Sequence, residues 1–76
     1  MNAQRRKLLE KVEGLISDAR GLLEEVMNEE QEAYDNMPEG IQESERGEAM
    51  AQGLTQMEDI VTSLEDFEEQ LQDIRG

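Results

Sequence analysis

Residues 28–48 read NEEQEAYDNMPEGIQESERGE, a run that holds eight acids, one base (Arg46) and the only proline of the chain. Proline has no amide hydrogen to give a helix, and it biases the residue before it away from helical angles. Pro38 therefore marks a break behind Met37. On both sides of the break the apolar residues repeat with heptad spacing. Leu8, Val12, Leu15, Ala19, Leu22, Val26 and Ala33 form the first series, with a gap at Glu29. With Val12 at position a, Leu8, Leu15 and Leu22 fall at d, and Leu9, Ile16 and Leu23 fall at e. In the second series Met50, Met57, Leu64 and Leu71 are at a, and Ile60, Phe67 and Ile74 are at d, where Gly53 is the gap. Leu54 and Val61 are at e.

The spacing predicts a first helix over residues 3–34, a turn over 35–44 and a second helix over 45–74. PEGIQ reads as a single helical turn. Ser44 reads as the N-cap of the second helix, its hydroxyl accepting from a free first-turn amide. Two long helices of matched length on a short connection make an antiparallel hairpin. The expected fold is all-α, an antiparallel two-helix hairpin in one domain over residues 1–76.

An a/d seam is enough for two helices, and an apolar e position widens the stripe to the kind found in bundles. Leu9, Ile16, Leu23, Leu54 and Val61 are therefore expected to stay partly wet on a lone hairpin. They read as a ridge for dimerisation into a four-helix bundle, or for a helix of a partner. A chain of 76 residues rarely draws more than ~3–5 kcal/mol from its own core, which favours such burial. Phe67 reads as core. Tyr34 reads as seam packing, with partner anchoring as the alternative. Gly14 and Gly21 read either as tolerated helix weakening or as a column approached by another backbone.

Charge is unevenly placed. Arg5, Arg6, Lys7 and Lys11 crowd the start of the first helix, and Glu65, Asp66, Glu68, Glu69 and Asp73 the end of the second. Each cluster opposes its own helix dipole, and pairing across the open end of the hairpin would explain both. The turn end lacks that explanation. Glu24, Glu25, Glu29, Glu30, Glu32, Asp35, Glu39, Glu43, Glu45 and Glu48 surround it, and a bridge from Arg46 to Glu29 or Glu30 would account for only two of them. Local rules broken without local compensation tend to mark function. A second acidic column, Glu58, Asp59, Glu65, Asp66 and Asp73, reads as a solvated face or as an extension of the tip.

Several chemistries are unfavoured. There is no cysteine and no histidine, so disulfides, thiolate sites and His-based zinc sites are out of reach. DNMPEG lacks the ligand alternation of a calcium loop. No nucleophile sits beside a base, and no glycine loop cradles phosphate. No enzyme activity, cofactor or metal is expected. A net charge of −13 disfavours direct binding to nucleic acid or anionic lipid and favours a basic partner. No apolar run is long enough for a membrane span, and MNAQRRKLLEK lacks the apolar core of a signal peptide. A cytoplasmic location is the expectation.

The segment EEQEAYDNMPEGIQESERGEAM, followed by the acidic amphipathic stretch MEDIVTSLEDFEEQL, resembles short acidic proteins of bacteriophages and mobile elements. The resemblance implies the cytoplasm of a bacterial host and an anti-defence role, as in inhibitors of CRISPR or restriction nucleases that imitate DNA or RNA. It assigns no residues. The expected function is a non-enzymatic acidic inhibitor that occupies the basic groove of a nucleic-acid-binding host protein, with the ten tip acids in contact. The alternative is a structural or assembly module, a homo-oligomeric bundle or antitoxin-like helix binder, that works through the apolar ridge.

Overall fold

The computed structural model describes residues 1–76, which form helices throughout and no strand. Helix α1 spans Ala3–Asp35. Asn2 caps it, its side-chain oxygen accepting the Arg5 amide at 2.9 Å. The helix ends where Pro38 approaches, and the Asn36 amide donates back to the Glu32 carbonyl. Helix α2 is the single turn Glu39–Gln42, with Pro38 at its start. The Gln42 side-chain amide donates to the Tyr34 carbonyl at 2.8 Å and ties this turn to the end of α1. Helix α3 spans Glu45–Arg75, and the Ser44 hydroxyl accepts from the Gly47 amide at 3.4 Å. α1 and α3 each run one residue past the predicted end.

α1 and α3 pack antiparallel. Arg20 of α1 reaches Glu68 of α3, and Arg75 of α3 reaches Glu13 of α1. These two pairs set the register and show an offset that the matched helix lengths did not suggest. Arg75, the last helical residue, extends only to Glu13 and Glu10. Residues Ala3–Leu9 therefore project past the end of α3, roughly 10 Å at 1.5 Å per residue. The molecule measures 58 × 15 × 12 Å, with a radius of gyration of 17.2 Å. A compact chain of this length would have about 11 Å.

The turn explains one glycine. A Cβ on Gly47 would collide with the carbonyl groups of Gln42 and Ile41. Gly47 is one of only two buried residues, so the chain doubles back closely at this point. Gly14 and Gly21 have open space around them, and no backbone of the hairpin approaches their column.

The face that each helix turns inward differs from the expected seam. Along α1, Ser17 and Glu24 are half-buried at the flank, and the main inward series is Leu9, Glu13, Ile16, Arg20, Leu23, Met27, Glu30 and Tyr34, continued past the helix end by Met37. They step by four and three, but at positions b and e. Along α3 the series Met50, Leu54, Met57, Val61, Leu64, Glu68, Leu71 and Arg75 lies at a and e. The five ridge residues, Leu9, Ile16, Leu23, Leu54 and Val61, are thus half-buried; the last four lie along the stretch where the helices pair, and Leu9 lies just beyond it. The expected a/d seam of α1 and the d positions Ile60, Phe67 and Ile74 of α3 face outward instead, whereas Met50, Met57, Leu64 and Leu71 at a of α3 face inward as expected. The reason is charge matching. Glu13 and Arg20 at b of α1 meet Arg75 and Glu68 at e of α3, so opposite charges meet at two levels of the seam, while Glu30 has no basic partner.

No hydrophobic residue is fully buried. Leu15 is 69% exposed, Leu22 64%, Ile74 60% and Phe67 50%. Phe67 is therefore not core. Apolar burial stabilises by roughly 25 cal/mol per Å², and this hairpin leaves much of that contribution unused.

Candidate functional site

Two surfaces stand out, an acidic tip and an apolar face. At the tip, Glu25, Glu29, Glu32 and Asp35 are exposed on the last turns of α1. Their charge lies against the negative end of that helix dipole. Asp35 accepts from the Gln31 side chain at 2.9 Å. Glu39 lies in the first turn of α2, and Glu45 and Glu48 lie in the first turn of α3, where the dipole favours them. Glu43 caps α2 at its C-terminal end. Glu24 and Glu30 differ from the others, because both are half-buried, Glu30 on the seam side of α1.

Only one of the ten tip acids has a basic partner within 4.0 Å. Glu24 pairs with Arg20 at 3.1 Å. Arg46 is exposed and forms no ion pair, so the expected bridge to Glu29 or Glu30 is absent. The tip therefore carries a dense negative charge that the hairpin does not neutralise.

The pairs at the other end also differ from expectation. Arg5, Arg6, Lys7 and Lys11 contact no carboxylate of α3. The offset accounts for Arg5, Arg6 and Lys7, since α3 ends before it reaches their level, and Lys11 is exposed. Arg75 occupies the acidic side of α1 instead. Its guanidinium donates to both carboxylate oxygens of Glu13 and lies 3.8 Å from Glu10. Arg20 donates to Glu68 at 3.0 Å and lies 4.0 Å from Glu65. Hydrogen bonds to Glu68 and then Glu24 raise the Arg20 pKa above its ordinary value, and the hydrogen bonds to Glu13 do the same for Arg75. A raised arginine pKa adds stability that is complete below the ordinary arginine value and lost only above it. Both bases stay charged across the whole working range of pH.

The second acidic column, Glu58, Asp59, Glu65, Asp66 and Asp73, is exposed along α3. Of these only Glu65 has a basic neighbour. No group of three or more acidic side chains is arranged to hold a metal ion. No helix is long and apolar enough to cross a membrane.

The apolar face is the feature that heptad reading misplaced. Leu8, Val12, Leu15, Leu22 and Val26 form an exposed stripe on α1, and Ile60, Phe67 and Ile74 one on α3. Both stripes lie on the same side of the hairpin. Val12 and Ile16 line one shallow groove together with Phe67, Leu71 and Ile74. The signal that could have found this face is the pairing of Glu13 with Arg75 and Arg20 with Glu68. Both pairs fit one antiparallel register, and they fix which way each helix is turned. No family model, no curated protein and no solved structure matches the chain.

Proposed function

We propose that this chain is a non-enzymatic binding protein whose acidic tip docks on the basic groove of a nucleic-acid-binding protein. The observation that supports this is the absence of counter-charge. Nine of the ten tip acids have no base within 4.0 Å, while the one arginine of the tip stays unpaired. Like charges held together are unfavourable for folding, and an external cationic surface would relieve them. Lysines and arginines that normally hold phosphates would hold carboxylates, and long-range attraction would speed encounter.

The test uses the immobilised full chain and a bacterial lysate freed of nucleic acid. Bound proteins are eluted with a salt gradient, and duplex DNA and RNA are then offered as competitors. Elution at moderate salt with displacement by polynucleotide is the expected outcome. Replacing Glu32, Asp35, Glu39 and Glu43 by lysine should reduce retention by about tenfold or more at unchanged helicity. Retention that ignores both salt and polynucleotide would overturn the proposal.

A second reading, an assembly module, is favoured by the apolar face. A face of this kind receives an amphipathic helix from another chain, and the tip charge would then serve solubility.

A further inference from the structure

We propose that the apolar face is covered by a second copy of this chain, packed antiparallel so that the projecting start of each α1 lies on the tip-side end of the other copy's apolar face. Four observations converge on this occupant.

The first is surface. The chain exposes 5757 Å². A compact monomer of 8.7 kDa would expose about 4,700 Å². The excess, roughly 1,000 Å², is comparable with the ~800 Å² that each partner gives to a standard interface.

The second is register. When two heptad helices pack antiparallel, a layers meet d layers. One alignment of α1 with its own copy sets Leu8 opposite Val26, Val12 opposite Leu22 and Leu15 opposite Ala19, all apolar. The same alignment sets Arg5, at a, opposite Glu29, at d. Sliding by one heptad in either direction breaks this, because Arg5 then faces Leu22 or Val12 faces Glu29. Glu29, the gap in the first apolar series, thereby gains a role.

The third is charge. Lys11 of one copy lies beside Glu25 of the other in this alignment. The bases that lack partners in the hairpin thus come to acids that also lack partners. Asp18 meets its own copy across the two-fold axis, which offsets part of that gain.

The fourth is the offset of the hairpin. Residues Ala3–Leu9 have no α3 beside them, yet they carry the exposed Leu8. In the antiparallel dimer this segment lies between Val26 and Ile60 of the second copy, whose side chains are also exposed. Phe67 then comes opposite Ile74 of the second copy. Between Ala49 and Ile74, no charged residue occupies positions d or g of α3, the side that would face inward. The interface takes Glu25 and Glu29 from the tip but leaves Asp35, Glu39, Glu43, Glu45 and Glu48 outside it, so the proposed docking is tested separately on acids that the dimer does not use.

Sedimentation equilibrium of four samples tests the arrangement: the native chain, Arg5→Glu, Glu29→Arg, and an equal mixture of the two variants. Neither residue has an ionic partner within the hairpin, so both variants should keep native helicity by circular dichroism. The native chain should dimerise. Each single variant should dimerise about tenfold more weakly, because two symmetry-related pairs become repulsive. The mixture should regain native affinity, because a heterodimer restores opposite charges at both pairs. Leu15→Glu, at the centre of the interface, should give monomers and does not depend on the charge pattern. A native chain that stays monomeric at millimolar concentration would overturn the inference. So would a dimer whose affinity neither variant changes, or whose loss the mixture does not repair.

Discussion

Arg75, the last helical residue of α3, closes on Glu13 of α1 with hydrogen bonds to both carboxylate oxygens. Glu13 is 9% exposed, the only charged residue counted as buried. Removing the guanidinium would leave that carboxylate half-desolvated without a donor. Arg75→Gln should therefore fray the C-terminal turns of α3. Amide exchange over residues 68–75 should accelerate by roughly tenfold, whereas Arg46→Gln should change nothing measurable. Equal effects of the two substitutions would remove Glu13–Arg75 as a register lock.

The glycines separate by surroundings. Gly14→Ala and Gly21→Ala fill open space and should each stabilise by about 0.5–1 kcal/mol in thermal unfolding. Gly47→Ala should destabilise in spite of alanine's better helix propensity, because its Cβ meets the Gln42 and Ile41 carbonyls.

Burial makes opposite demands on neighbours in sequence. Leu23 and Val61 are half-buried in the seam, while Leu15 and Leu22 are exposed. Leu23→Ala should cost about 1–2 kcal/mol at any protein concentration. Leu22→Gln should cost less than about 0.5 kcal/mol where the chain is dilute and monomeric. Chemical denaturation at two protein concentrations distinguishes the two classes.

Salt should stabilise rather than destabilise. Between 0.01 and 1 M the Debye length falls from about 30 to 3 Å, which screens the repulsion of a chain with net charge −13. The attractive pairs are few and at close range, so they lose less. Melting temperature and helical ellipticity should both rise with added sodium chloride. A fall in both would mean that attraction dominates the electrostatics of the folded state.

The helices, the turn at Pro38 and the Ser44 cap were all legible in the sequence, because periodicity and capping are local properties. Which side of each helix faces inward was not. α1 has apolar residues at a, d and e, so its stripe is wide enough to offer more than one seam. Hydrophobic spacing selected a/d, whereas Glu13 and Arg20, matched by Arg75 and Glu68, select b and e. That choice depends on residues 48 and 62 positions apart, beyond the reach of any local pattern. The tip acids were legible as a cluster from composition alone. The exposure of Leu8, Leu15, Ile60 and Phe67 required the rotation of the helices to be known.

Cysteine accessibility tests the central claim most directly, since the chain has no cysteine of its own. Leu15→Cys and Ile16→Cys would be labelled with a thiol reagent at full helicity, at low and at high protein concentration. The expected result is rapid labelling of position 15 in dilute protein, protection of it at high concentration, and slow labelling of position 16 throughout. Protection of position 15 in the dilute monomer, with position 16 freely labelled, would contradict both the seam described here and the free apolar face that follows from it.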